Sequence, residues 1–387
     1  MASTGNSGTM ERILRLMAEK KASDIYLSAN SPILIRIDGQ CVPINSQLLP
    51  PDGPRNLLDE ILPPERIHEL EESHELNMSV GIAGIGRFRV SAMRQRGSYA
   101  AVIRYILNEI PSLESLMLPE ILAQLIMEKR GLLLFVGATG AGKSTTLASL
   151  IDYRNQHASG HILTIEDPIE FLYKHKRSVV NQREVGPDTD STQLALKNAL
   201  RQAPDVILIG EIRDRETMSS AIAYAQSGPL CLATMHANNS YHALNRILSF
   251  YPAEVRSSML GDLAAAMKAI VSQRLLRAAA GGRTPAVEVM LNSKLVFELI
   301  EKGNFSGIKE AMEKSLAEGS QTFEQDISRL ILNDIISREE GLANADSASN
   351  LLWRLDNDYR PEAKSKNLEI DPDDIPSFTE LALDVLN

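Results

Sequence analysis

The eight residues Gly137-Ala138-Thr139-Gly140-Ala141-Gly142-Lys143-Ser144 match the phosphate-binding pattern G-x-x-x-x-G-K-[ST] without a mismatch. Glycines at 137, 140 and 142 let the chain wrap so tightly that successive backbone N–H groups point at phosphate oxygens. Lys143 then reaches the β- and γ-phosphates of a nucleoside triphosphate, the Ser144 hydroxyl holds Mg²⁺, and Thr145 adjoins the same anion. Residues 132–136 form a continuous apolar run, readable as a buried strand. From Ser144 a helical segment reaches about Gln156 and offers its positive end to the phosphates. A chance glycine-rich turn is the alternative, and the strand-loop-helix setting argues against it.

Carboxylates follow two further apolar runs. Asp205-Val-Ile-Leu-Ile-Gly-Glu211 reads as a buried strand with Glu211 just past its C-terminal end, where ligands of open α/β sheets bind. A carboxylate there can hold Mg²⁺ through water; a surface loop acid is the other reading. Arg213 and Asp214 follow as a candidate ion pair. Glu166 and Asp167 end the run Leu163-Thr-Ile, and Pro168 stops that strand. Either acid could orient or deprotonate an attacking water, or both could be plain loop acids. Leu230-Cys-Leu-Ala-Thr234-Met-His236 delivers Thr234 and His236 to the same sheet edge. A lone histidine is more often structural, but this position suits a γ-phosphate sensor. Five arginines (87, 89, 94, 96 and 104) stand between 87 and 104 with no acid among them. They form a solvated basic face or supply arginine fingers to a neighbouring subunit, which are worth ~10³–10⁵ in rate.

These groups need elements to hold them. Residues 11–20 carry helical apolar spacing, with strand-like runs at 24–27 and 33–37, a hairpin signal at Asp38-Gly39, a helix from Pro63-Pro64 to Glu72, and strands at 86–93 and 99–107. Beyond the linker, apolar runs at 132–136, 162–165, 206–209 and 230–234 alternate with helices, which means a parallel sheet. After Tyr251-Pro252 the pattern reads as helical to about Arg354, apart from a strand or hairpin at 285–291. The predicted organisation is α/β. It comprises a flexible leader at 1–9, a small domain at 10–108, a linker at 109–118, a phosphate-loop domain at 119–354 with a helical C-terminal part, and an acidic, largely disordered tail at 355–387.

Composition narrows the function classes. The 387 residues give two domains ample core. No apolar run is long enough to span a membrane, and the N-terminus lacks signal-peptide features. Two distant cysteines, Cys41 and Cys231, read as buried structural thiols in a reducing cytosol. A net charge of −10 argues against nucleic acid as the partner. Residues 355–387 hold nine acids and three bases, which leaves the body near neutral. Apolar residues 375, 378, 381, 383 and 386 stand among these acids, as in a docking segment or a merely solubilising tail.

In this order, the motifs resemble those of the secretion ATPases, and within them the type IV pilus retraction motors of the PilT/PilU kind. The resemblance runs from Ala22-Ser-Asp-Ile-Tyr-Leu-Ser28 to about Trp353. It includes Gly86-Arg-Phe-Arg89, the phosphate loop, Thr164-Ile-Glu-Asp-Pro-Ile-Glu-Phe171, Pro204-Asp-Val-Ile-Leu-Ile-Gly-Glu-Ile-Arg-Asp214, His236 and Ala269-Ile-Val-Ser-Gln-Arg-Leu275. It implies a PAS-like N-terminal domain joined to a RecA-like ATPase domain in a homohexameric ring, each small domain packing on the neighbouring subunit. It also implies ATP with Mg²⁺, Glu166 as catalytic carboxylate, Glu211 as Walker B acid, and small-domain arginines including Arg104 completing the site. A cytoplasmic motor at the inner face of the membrane follows, without insertion into it, partnered by a primary retraction ATPase and an inner-membrane platform protein. Within the family, the absence of a four-cysteine insert points to retraction. The 230–239 phrase and the acidic tail resemble the accessory, PilU-like type. Gly228-Pro229 stands where the family has Gly-His, leaving His236 without its paired histidine. The other readings are an interaction ring that docks on a primary motor, a pilus-assembly or type II secretion ATPase, and, remotely, a DNA translocase or small-molecule kinase.

Overall fold

A computed structural model describes residues 8–37, 39–106, 109–315 and 317–358. The leader before residue 8 and the tail after 358 lie outside the described residues, as does Asp38 of the predicted hairpin.

Six antiparallel strands build the first sheet: β1 (Asp24–Ser28), β2 (Pro32–Ile37), β3 (Gln40–Leu48), β4 (Glu75–Ile82), β5 (Gly86–Gln95) and β6 (Ser98–Ile106), ordered β3-β2-β1-β6-β5-β4. Alternation decides its faces. Phe88, Val90 and Ala92 of β5 and Ile103 of β6 are buried with Met10, Leu14 and Met17 of the helix Thr9–Glu19 and with Leu58 and Leu70. Arg89 and Arg104 stand on the opposite face as cross-strand partners. The tight turn between β5 and β6 falls where the sequence places it, with Arg96 at φ 48° and Gly97 at φ 78°.

The second sheet holds β7 (Gly131–Val136), β8 (Gly160–Glu166), β9 (Ser178–Glu184), β10 (Val206–Ile209), β11 (Leu230–Met235), β12 (Met267–Arg277) and β13 (Arg283–Leu291), ordered β13-β12-β7-β11-β10-β8-β9. Its pairs are parallel except β12–β13. Helices cover both faces, so β7 is buried throughout: Leu132, Leu134 and Val136 join one apolar cluster, Leu133 and Phe135 the other. The helix Lys143–His157 follows β7 directly.

Four strands depart from the sequence reading. Residues 267–277, read as helical, are β12, paired along its length with β7 and β13. Strands β4 and β9 have no counterpart in the sequence reading, and β3 is expected there only as the unbounded second arm of the hairpin at Asp38-Gly39. β3 has no buried position, so Cys41 is exposed against the sequence reading while Cys231 is buried as expected; β4 and β9 carry polar residues (Asn77, Ser79; Asn181, Gln182) that hide an apolar period. The C-terminal part is helical as predicted, with Phe323–Leu332 opened by a capping box of Thr322 and Gln325, then Arg338–Asn344 and Ala348–Asp358.

Among the described residues, one ion pair joins the two sheets. Arg87 of β5 donates from Nη2 to Oε2 of Glu184, which is buried at the end of β9 and also accepts from the Ile169 N–H at 3.2 Å.

Candidate active site

The C-terminal ends of β7, β11, β10 and β8 lie side by side, because Val136 pairs with Met235, Ala233 with Ile209, and Ile209 with Ile165. Each chemically equipped segment begins where one of these strands stops, so the register alone gathers them round a cleft of 410 Å³. Lys143, Ser144, Glu166, Glu211, Arg213 and His236 are among the residues that line it.

The phosphate loop is fixed from below by β12. A Cβ on Gly137 would lie 2.5 Å from the Gln273 carbonyl oxygen, and one on Gly142, held at φ 86°, would lie 2.7 Å from Gln273 Nε2. Gln273 Nε2 donates to the Ala141 carbonyl (2.8 Å), while its Oε1 accepts from Thr146 Oγ1 (2.8 Å). The loop backbone thus keeps the open curl that phosphate needs, and side chains at 137 or 142 would push it off β12. Lys143 bends over the loop and donates to the carbonyls of Gly137 (2.7 Å) and Ala138 (2.9 Å). Its burial lowers its pKa, while Glu211 and Glu170 act to raise it. Ser144 is exposed at the first turn of the helix. The cradle therefore fits a nucleoside triphosphate. A hydroxyl beside a carboxylate is a hard-oxygen donor set suited to Mg²⁺ that keeps most of its water. Among the described residues no cluster of three or more His, Cys, Asp or Glu forms a metal site by itself.

Glu211 stands past β10 as the sequence places it. Its Oε1 lies 3.1 Å from His236 Nε2, and its Oε2 accepts from Arg213 Nε at 2.7 Å, a contact that raises the Arg213 pKa. Arg213 is also 3.8 Å from Asp167. The predicted Arg213–Asp214 pair does not form. Asp214 instead caps the helix Arg215–Ser227, accepting from the Thr217 N–H at 2.8 Å, so its side chain is turned back onto backbone.

Glu166 ends β8. Burial raises its pKa, and hydrogen bonds from Thr164 and Gln182 pull it back. Thr164 Oγ1 donates at 2.6 Å and Gln182 Nε2 at 3.1 Å, both to Oε1. Thr164 is two residues back on the same strand face, and Gln182 is on the adjacent β9.

His236 rests on Glu211, and Thr234 donates to the Gly210 carbonyl. The segment after His236 is held from the side: Arg274 of β12 donates to the Asn238 carbonyl (3.2 Å) and pairs with Asp346, while the buried Glu288 of β13 accepts from the Ser240 N–H (2.8 Å). Pro229 opens β11 at the end opposite His236, some 20 Å away at ~3.3 Å per residue. A histidine there would be remote from this chain's own cleft.

The arginines separate. Arg87 is committed to Glu184 in its own chain. Arg104 donates to Asp24 at 2.8 Å, remains largely exposed on the first sheet, and does not line the cleft. Gln182, Thr164, Gln273 and Arg274 are the functional candidates that sequence reasoning passes over. The available signal was polar side chains inside β-pattern runs.

Comparison with known proteins follows the same line. The family model described as type II/IV secretion system protein matches residues 8–325. The chain is 48% identical over 342 residues to the type IV pilus ATPase PilU of Pseudomonas aeruginosa, covering 88% of this chain and 90% of that one. It is 36% identical over 338 residues to the type IV pilus retractation ATPase PilT of the same organism, covering 87% and 98%. A crystal structure of the pilus retraction motor PilT with bound ADP superposes with a TM-score of 0.84 at 38% identity, covering 90% of this chain and all of that one.

Proposed function

The chain belongs to the type II/IV secretion system protein family, and from that membership we propose that it is a hexameric motor whose ATP hydrolysis powers type IV pilus retraction, as an accessory retraction ATPase. The observation that carries the catalytic part is the meeting of Lys143, Ser144, Glu166 and Glu211 around one cleft at the ends of four adjacent strands. The assignment to pilus retraction is supported by the similarity to PilU and PilT, whose solved relative carries ADP.

In this reading residues 137–145 hold the triphosphate, and Lys143 leaves the loop carbonyls to meet phosphate oxygens. Ser144 and, through water, Glu211 would hold Mg²⁺, which neutralises charge on the phosphates. Glu166 orients the attacking water and takes its proton. His236 and Arg213 fix the direction of Glu211. Arg104, paired with Asp24 but largely exposed on the first sheet, serves a neighbouring subunit's site, which is why a ring is part of the proposal. The chain divides as its sequence does, into a small domain to residue 108, a linker to 118 and a motor domain to 354. The ring acts on a platform protein at the cytoplasmic face of the inner membrane beside a primary retraction ATPase. Among the described residues, no helix is long and apolar enough to cross a membrane.

Lys143→Ala is the direct test. It should abolish ATP turnover while the oligomer keeps its sedimentation behaviour, and a cell carrying it should lose this protein's share of pilus retraction. Unchanged turnover in the purified variant would sink the assignment.

A further inference from the structure

Gln182 is the one polar side chain of β9 whose whole amide is spent on the surroundings of Glu166. Its Nε2 donates to Glu166 Oε1 (3.1 Å) and to the Phe171 carbonyl (2.8 Å), and its Oε1 accepts from the Tyr173 N–H (2.9 Å). Gln182 faces Thr164 across the parallel β8–β9 pair, two residues before Glu166 faces Glu184. Three segments therefore converge on one amide: the end of β8, the Phe171–Tyr173 stretch that lines the cleft, and β9 itself.

Three donors bear on Glu166. Thr164 and Gln182 both donate to Oε1, and the Glu170 backbone N–H supports the same carboxylate. A carboxylate held by fixed donors has its rotation set before a proton arrives. Holding a general base to within a fraction of an ångström is what separates efficient proton transfer from slow proton transfer.

We infer that Gln182 is a positioning residue for ATP hydrolysis: it clamps Oε1 of Glu166 and ties that carboxylate to the Phe171–Tyr173 wall, so that its orientation towards the attacking water is fixed. This rests on Glu166 being the base. Gln182 itself touches neither water nor nucleotide. Its effect is on turnover, since the phosphate cradle is built by other residues, around Gln273.

Gln182→Met keeps the length and removes the amide, while Gln182→Glu keeps an acceptor for the Tyr173 N–H and removes the donor. Steady-state kinetics with ATP and Mg²⁺, and equilibrium binding of a fluorescent ATP analogue, are measured on both variants and on Glu166→Gln as full-length oligomers. The inference expects Glu166→Gln to be inactive. It expects both Gln182 variants to lose about tenfold to a hundredfold in kcat, with KM and analogue affinity within about threefold of the parent. Parental kcat in both Gln182 variants beside an inactive Glu166→Gln overturns the Gln182 role and leaves the site assignment standing. A matching loss of analogue affinity overturns it too, since that marks a wall-building residue. Full activity in Glu166→Gln overturns the base assignment first and Gln182 with it. Should Gln182→Met not assemble, Gln182→Glu decides by the same numbers.

Discussion

A single carboxylate carries most of the chemical reading. Glu166 is largely buried, and burial lifts its pKa; Thr164 and Gln182 moderate the lift without cancelling it. A base must be ionised to accept a proton, so turnover should fall as pH drops through that raised value. The acid limb of kcat is therefore expected above the ordinary glutamate pKa of ~4.3. A kcat–pH profile checks this, and an acid limb at or below the ordinary value would remove Glu166 from the role. Glu166→Gln should cost ~10²–10⁴ in kcat. Glu211 differs in kind: His236 and Arg213 occupy its two oxygens, which fixes its direction.

At the scale of elements, β12 decides whether the phosphate loop keeps its shape. Gln273 holds the loop at Ala141 and the following helix at Thr146. Gln273→Leu forfeits both bonds and leaves two buried polar atoms without partners. At ~1–3 kcal/mol for such a loss, ATP should bind about tenfold or more weakly. The expected signature is a raised KM with kcat little changed, the reverse of the Gln182 variants; titration with an ATP analogue measures it.

That same strand shows where the sequence stops being readable. The loop at 137–144 was legible because its backbone admits so few residue types: Gly142 at φ 86° is a constraint written in composition. The runs β7, β10 and β11 were legible because both faces are buried and the residues are uniformly apolar. β12 breaks its apolar run with Ser272-Gln273-Arg274, each serving a partner distant in sequence, and so reads as an amphipathic helix. β9 fails for the same reason, since Gln182 and Glu184 are polar for the sake of Glu166 and Arg87. The residues that supported the site most directly were the ones that disguised their strands. Arg213 and Asp214 were assigned to each other on adjacency alone. Helix capping claimed one and Glu211 the other.

For the molecule as a whole, the Arg87–Glu184 pair ties one sheet to the other. Both side chains are largely out of water, Glu184 almost completely. Arg87→Ala strands that carboxylate and should cost up to ~3 kcal/mol, whereas Arg87→Met with Glu184→Gln removes both charges and should recover much of the loss. Thermal melts of the singles and the double, run as a cycle, measure the coupling. Equal losses in single and double variants would show that the pair contributes packing alone.

Glu184 also accepts the Ile169 N–H, and it stands beside Glu166 in the β8–β9 register. Withdrawing Arg87 would leave that buried carboxylate with the Ile169 N–H and without its counter-charge. The pair thus acts as a latch on the first sheet, and the backbone it also grips lies three residues along the chain from Glu166.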